Sequence, residues 1–350
     1  MSTETVAAQC LPGTGSRPRE SAVAVAHPNI ALVKYWGKRD EEFVLPVADS
    51  LSMTLDLYPT TTRVTVTPNA RTDVVILSGR AATGQVLHRV ERFLDLVRTL
   101  AGRDERAEVV TVNTVPTAAG LASSAGGFAA LAVAAAEAYG LELDRRDLSR
   151  LARRGSGSAC RSIFGGFAQW HAGVGSGVAG DLGSYAEPIE ADGLDPAIVV
   201  AVLDRSTKLL SSRDAMRHTI TTSPLYLPWA NTCAPDLAEM RAAIARGDLA
   251  VVGEIAERNA FGMHATMLAA RPSIRYLSSR SIAVLDRIVV LRNDGVAAYA
   301  TIDAGPNIKV LCERTDAATV ATALAEVGSF VDTQIALPGP GAALTTGSVL

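Results

Sequence analysis

The sequence predicts a chain of two domains that mix helices and strands, and three observations carry that expectation. The chain has 350 residues, about two domains at ~150 residues each. Its apolar pattern switches repeatedly between the alternation of strands and the wider period of helices. Near the middle, residues 191–196 (ADGLDP) interrupt the pattern as a linker does. With 48% hydrophobic and 20% charged residues, the chain can bury a substantial core, which excludes wholesale disorder.

Residues 1–20 are rich in Gly, Pro, Ser and Thr and are expected as a disordered tail; with no charged start followed by an apolar run, they do not form a signal peptide. Order is expected from residue 21, with two short strands meeting at a bend around His27-Pro28-Asn29. Residues 60–68 (TTTRVTVTP) and 74–77 alternate as strands. Residues 85–101 carry Val86, Val90, Phe93, Leu94 and Val97 at helical spacing. After a strand at 108–114 comes a Gly/Ala/Ser loop, then an alanine-rich helix from Ser124 to Gly140, whose glycine suits a helix end. Asp144, with Asp147 three residues on, caps a further helix that Gly155 closes. A strand at 167–171 and a Gly-rich hairpin at 174–183 complete a first domain, residues 21–195. The second, residues 196–337, opens with a buried strand at 199–203 and continues with helical stretches from Arg213, Leu237 and Leu249. Strands at 298–302 and 308–312 flank the turn DAGPN, and a helix covers 315–326. Residues 338–350 are expected to fray as a flexible tail.

Charge and cysteine usage exclude several classes. There are 33 Lys and Arg against 36 Asp and Glu, a net of -3, without the basic excess of a nucleic-acid binder. Cys10, Cys160, Cys233 and Cys312 lie far apart with no CxxC pair, so neither a zinc site nor a disulfide scaffold is expected, and reduced thiols in a cytoplasm are the simpler reading. No stretch reaches the ~20 apolar residues of a membrane span.

Four segments carry chemistry. In PTAAGLASSAGG (residues 116–127), small residues let the backbone approach a ligand, free N–H groups at a helix start favour phosphate, and serine hydroxyls can hold phosphate oxygens or Mg²⁺. No lysine follows the last glycine, so this is not a P-loop; a tight turn with no ligand uses the same residues. HPNIALVKYWGKRD (residues 27–40) gathers lysines and a tyrosine beside a glycine, either as a ligand-facing cluster or as a strand end with solvated charges. GSGSACRS (residues 155–162) ends its alternate hydroxyls on Arg161, whose planar fork suits a carboxylate or phosphate; as a bare Gly/Ser run it could also be a linker. In TIDAGPN, Asp303 leaves a strand at a turn, as a base or hydroxyl-orienting group or as a residue capping its own loop.

Together, HPNIALVKYWGKRD, PTAAGLASSAGG, RRGSGSACRSIFGG, KLLSSRDAMRHT and TIDAGPNIK resemble the signature segments of diphosphomevalonate decarboxylases, in that family's order, from about residue 21 to residue 337. The family belongs to the galactokinase/homoserine kinase/mevalonate kinase superfamily. The resemblance implies an α+β fold with an N-terminal ribosomal-protein-S5-like domain, a C-terminal ferredoxin-like domain and a site in the cleft between them. It also implies ATP and Mg²⁺ as cofactors, 5-diphosphomevalonate as substrate and a homodimer, beside the absence of a nucleic-acid or membrane partner expected from charge and hydropathy.

Residue by residue, the resemblance implies that Asp303 orients or deprotonates the substrate's C3 hydroxyl. Arg161 would take its carboxylate, with Ser156 and Ser158 beside it. Tyr35, Lys38, Ser212 and Arg213 would hold the diphosphate. Gly120, Ser123 and Ser124 belong to the ATP-phosphate loop, Ser124 also as a metal ligand, and Lys208 lies near the transferred phosphate. Gly126 stands where the family often has Ala, and Leu77-Ser78-Gly79 where it often has LNG; neither departure touches these roles. Asp303 and Lys38 are both present, whereas kinase-only relatives tend to lose one of them.

Overall fold

A computed structural model describes residues 20–114, 123–205 and 210–346. The chain begins with β1 (Ser21–Ala26), β2 (Asn29–Val33), β3 (Lys38–Asp40), β4 (Leu45–Pro46), β5 (Ser50–Thr54), β6 (Thr60–Thr67), β7 (Val74–Leu77) and β8 (Arg80–Ala81). Next come α1 (Gly84–Ala101), β9 (Arg106–Asn113), α2 (Ser123–Tyr139), α3 (Arg145–Gly155), α4 (Ala159–Ser162), β10 (Phe167–Trp170), α5 (Gly177–Gly183) and β11 (Ala186–Ile189). The C-terminal half holds β12 (Pro196–Val202), α6 (Ser212–Thr222), α7 (Tyr226–Ala245), α8 (Leu249–Leu268), α9 (Ser279–Asn293), β13 (Ala298–Ile302), β14 (Ile308–Glu313), α10 (Ala317–Ala325), β15 (Asp332–Ala336) and β16 (Ala343–Leu344).

Three sheets organise the fold. One has the order β16-β1-β6-β9-β7-β8, the second β11-β10-β5-β2, and the third, in the C-terminal half, β13-β14-β12-β15. Helix α2 packs against the first sheet and is apolar nearly all round, so it is buried. Strand β12 is buried at every residue because both faces are covered. Ile198, Val200 and Val202 face α7, α8 and the second sheet, while Ala197, Val199 and Ala201 face α9 and α10, the two-residue period of a strand. The two halves therefore share a hydrophobic core, in which Ile30, Leu51 and Met53 join Ile198 and Trp229, and the seam between them is apolar below the cleft.

Three sequence expectations change. Residues 174–183 are not a hairpin: Gly177–Gly183 form α5, fixed by the buried carboxylate of Asp181, which receives Arg150 and Arg153 from α3. The helix expected from Leu237 starts at Tyr226 and runs through Pro235; a proline removes one backbone donor, and packing of Trp229, Cys233 and Met240 in the core outweighs that loss. The run after residue 337 does not fray over its described part, residues 338–346. The Gly339 N–H donates to Thr54 O (2.8 Å), the Gly166 N–H to Gly339 O (2.9 Å), and β16 pairs antiparallel with β1. This strap returns the chain from the C-terminal sheet to the first sheet and covers an otherwise open edge. No helix among the described residues is long and apolar enough to cross a membrane.

Candidate active site

A cleft of about 630 Å³ lies between the halves. Its inner end is built by the ends of β2, β12 and β13, the start of β14 and the side of α8. Strand β2 pairs with β5 with a register shift between Ala31 and Val33, a local irregularity that re-aims the residues that follow. Lys34 comes next; its backbone N–H donates to Asn259 Oδ1 on α8 (2.9 Å), and its ammonium donates to Ala31 O (2.7 Å) and Asp303 Oδ1 (2.9 Å). Asp303 follows β13 in the turn to β14. That turn is held by Asn307, whose Oδ1 accepts from the backbone N–H groups of Leu203 (2.8 Å) and Asp204 (3.0 Å) at the end of β12. The second oxygen of Asp303 lies 3.3 Å from the ammonium of Lys309 on β14. The ring of His264 on α8 lies with Nε2 3.1 Å from the Asp303 carbonyl oxygen.

These contacts set the charge states. Burial alone would raise the Asp303 carboxyl, but Lys34 and Lys309 outweigh it and hold its pKa far below the usual carboxylate range. Burial, with Lys34 nearby, lowers the His264 imidazole from 6.5 to about 4, so at neutral pH it is uncharged and its Nε2–H donates to the carbonyl.

Arg161 sits on the single turn α4 and is almost fully buried. Among the described residues its hydrogen bonds end on neutral oxygens: Ser52 Oγ (2.9 Å), Asn29 Oδ1 (3.2 Å) and the Ser50 hydroxyl. Asn29 is itself fixed by donating to Ser158 O (2.9 Å) and Ser162 Oγ (2.8 Å). A buried guanidinium with no carboxylate partner, lining a cleft, is set up to receive an anion.

The outer part of the cleft is cationic. Tyr35 stacks on Trp170 with ring centroids 4.7 Å apart, and its hydroxyl is buried with no partner among the described residues. Burial pushes that phenol up, so it remains a donor. Gly157 makes room for it, since a Cβ there would meet the Tyr35 ring at 2.9 Å. Gly37, at φ +129°, lets the next turn pass Tyr226, whose hydroxyl oxygen would lie 1.8 Å from a Cβ. Lys38 pairs with Glu41 (2.6 Å). Ser211 caps α6 by accepting from the Asp214 N–H (3.2 Å), which brings Ser212 and Arg213 to the cleft at the helix start. Ser124, in the first turn of α2, lies with Oγ 3.3 Å from Ser156 Oγ. Seven lysines and arginines line the cleft against Asp214 and Asp303, a local excess inside a chain of net charge -3.

The structure thus brings Tyr35, Lys38, Ser124, Ser156, Ser158, Arg161, Ser212, Arg213 and Asp303 around one cleft. Gly120 and Lys208, and the side chain of Ser123, lie outside the described residues. Sequence reasoning missed the role of Lys309, although a lone lysine in the apolar strand IKVLC was a signal. It also missed His264, Asn307 and Arg89. Arg89 reaches Gly155 O (3.0 Å) from α1, and burial beside Arg213 lowers its guanidinium to about 10. A separate apolar cavity of about 300 Å³ shares Ser124 and Arg89 with the cleft and is lined by Val86, Val90, Phe128 and Leu131.

Comparison with known proteins matches this arrangement. Residues 26–181 match the family model for the diphosphomevalonate decarboxylase-like N-terminal domain, and residues 198–337 that for the mevalonate 5-diphosphate decarboxylase C-terminal domain. The chain belongs to the diphosphomevalonate decarboxylase family. It is 38% identical to the diphosphomevalonate decarboxylase of Homo sapiens over 312 residues, covering 83% of this chain and 76% of the relative. It is 32% identical over 315 residues to the phosphomevalonate decarboxylase of Haloferax volcanii, covering 89% and 94%. A structure of MDDEF in complex with MVAPP, AMPPCP and magnesium superposes with a TM-score of 0.87 at 45% identity, covering 93% of this chain and 98% of that one. The α+β two-domain fold is the one this family shares.

Proposed function

We propose that this chain carries out the ATP-dependent decarboxylation of 5-diphosphomevalonate to isopentenyl diphosphate. The C3 hydroxyl oxygen attacks the γ-phosphorus of ATP, ADP leaves, the hydroxyl proton passes to Asp303 or past it to solvent, and the phosphorylated oxygen then departs as phosphate. The C1–C2 bond breaks, its electron pair forms the C2–C3 double bond, and CO₂ departs. The observation that carries this reading is the pairing, in one cleft, of an anionic Asp303 with a buried Arg161 that has no acidic partner among the described residues. Asp303 accepts a hydrogen bond from the C3 hydroxyl and sets its direction. Arg161 holds the substrate carboxylate with Ser156 and Ser158 beside it, and placing that carboxylate fixes the geometry at C3. Tyr35, Lys38, Ser212 and Arg213 hold the diphosphate.

Ser123, Ser124 and Gly120 would line the ATP phosphates at the start of α2, with Lys208 near the transferred group. The apolar cavity beside Ser124 offers a wall for the nucleotide base. Ser124 suits a hard cation: it presents an oxygen at the cleft, no group of three His, Cys, Asp or Glu side chains among the described residues forms a metal site of its own, and Mg²⁺ commonly keeps one or two protein oxygens plus phosphates. When bound, Mg²⁺ supplies neutralisation of phosphate charge.

A second reading, decarboxylation of the monophosphate, is favoured by the similarity to the Haloferax volcanii enzyme. Parallel assays of ADP and CO₂ release with mevalonate, its 5-phosphate and its 5-diphosphate separate them. Highest kcat/KM with the diphosphate, with both products released, is the expected result; ADP without CO₂ would leave only kinase chemistry. The chain is further read as a homodimer of the cytoplasm. Ile282, Val289 and Val290 are exposed on one side of α9, apolar area of the kind that subunit contacts cover, and Cys160, Cys233 and Cys312 are free thiols. Sedimentation equilibrium tests the dimer.

A further inference from the structure

Two ammonium groups meet the carboxylate of Asp303, and they reach it from different sides. Lys34 lines the cleft and bonds Oδ1. Lys309 does not line it. Its residue is 1% exposed, it stands in β14 between buried Ile308 and Val310, and it pairs in register with Thr301 of β13. From there its ammonium reaches Oδ2 at 3.3 Å. Burying a lysine inside an apolar strand is costly unless the charge is matched, and Lys34 alone already balances the single charge of Asp303. The second cation therefore serves something other than neutrality.

The difference appears when ligands arrive. Lys34 shares the cleft with whatever phosphates and carboxylate bind there, so its bond to Asp303 is open to competition. Those incoming anions also favour protonation of Asp303. Lys309 is buried in β14 and does not line the cleft, so an anion entering there meets Lys34 first. We propose that Lys309 is a positioning residue: from inside the C-terminal sheet it holds Oδ2 of Asp303, so that this side chain stays anionic and fixed in direction while the cleft fills with anions. This rests on the decarboxylase reading for what Asp303 does, but not for the contact itself. Among the described residues, the other groups facing Asp303 are His264 on α8, which touches its carbonyl uncharged, and Arg161 on α4, which acts on it only at longer range.

The test compares Lys309→Met, Lys309→Gln and Lys309→Arg in the full chain by two readouts. One is the carboxyl titration of Asp303 followed by carbon-13 NMR without substrate. The other is kcat against pH. In the Met variant the Asp303 titration and the acid limb of kcat should both move up by ~1–3 units, the range for one nearby opposite charge, with KM for the phosphorylated substrate little changed. Lys309→Arg should return both toward the parent. The Gln variant carries the same expectation as Met if Met does not fold. The proposal is overturned if the neutral variants titrate as the parent does, or if neither folds, which would assign Lys309 to core stability alone. A parent chain that fails to turn over the diphosphate sinks the decarboxylase reading instead, and the NMR titration still decides the contact.

Discussion

The inner and outer ends of the cleft treat charge in opposite ways. Around Asp303, the cations are buried and paired at short range: Lys34 and Lys309 each engage one oxygen, and both are 2% exposed. Along the outer wall, Arg213 and Arg217 are exposed, Arg217 with exposed Asp214 at 3.9 Å, and Lys38 pairs with exposed Glu41. A paired cluster with buried cations fixes geometry and protonation before any ligand arrives, and its interactions are little screened. A rim whose pairs are with exposed carboxylates is held less firmly and gains further contacts when an anion binds. The inner end should therefore govern turnover and the outer end affinity and choice of substrate. Arg161 stands apart from both: it is as buried as the inner lysines, yet has no acidic partner among the described residues.

The largest effect should come from the inner end. Asp303→Asn keeps the size of the side chain and removes its charge, so ADP and CO₂ release should fall by ~10²–10⁴-fold while KM for the diphosphate substrate changes little. A variant with near-normal rate would break the division between the two ends. At the rim, Arg213→Ala removes a charged hydrogen bond worth ~1.5–3 kcal/mol, about ten- to a hundred-fold in affinity. KM for 5-diphosphomevalonate should rise by that factor with ATP unaffected, and the preference over the monophosphate should narrow. A rise in the KM of ATP instead would move Arg213 to the nucleotide side. The smallest effect concerns His264. Its imidazole titrates at about 4 when folded against 6.5 ordinarily, so the unfolded chain takes up the proton first as the pH falls. Stability from this group is complete above 6.5 and declines toward 4, a loss of about 1 kcal/mol by pH 5.5. His264→Gln should flatten that part of the stability curve in urea melts between pH 7 and 5; an unchanged slope would mean that the ring is charged in the folded state.

Much of the site was legible because local chemistry announces itself. KYWGK, GSGSACRS and DAGPN place aromatic, hydroxyl, cationic and acidic groups at turns, and Asp144 and Gly140 mark helix ends at the positions observed, Asp144 accepting from the Asp147 N–H at 2.7 Å. What stayed hidden depends on partners distant in the chain. Lys34 and Asp303 are separated by 269 positions, and no local pattern says that they meet. Val86 sat on the expected apolar face of α1, yet it is half exposed on the wall of the smaller cavity, because helical period gives a face but not what covers it. The strap at residues 338–346 failed for a related reason: glycines and prolines signal irregular backbone, and only the neighbouring Thr54, Gly166 and β1 decide whether that backbone is tied down.

By itself, then, the sequence determined most elements and the reactive side chains, which follow from period and short-range order, while the family came from the resemblance of its signature segments. The tertiary structure decided which charges face one another. It set Lys34 on the cleft wall and Lys309 inside β14, left Arg161 buried among neutral oxygens, and turned Asp303 from one acidic residue in a turn into an anion gripped from two sides. The physical reason is that electrostatic energy depends on distance and burial, and both are properties of the folded chain.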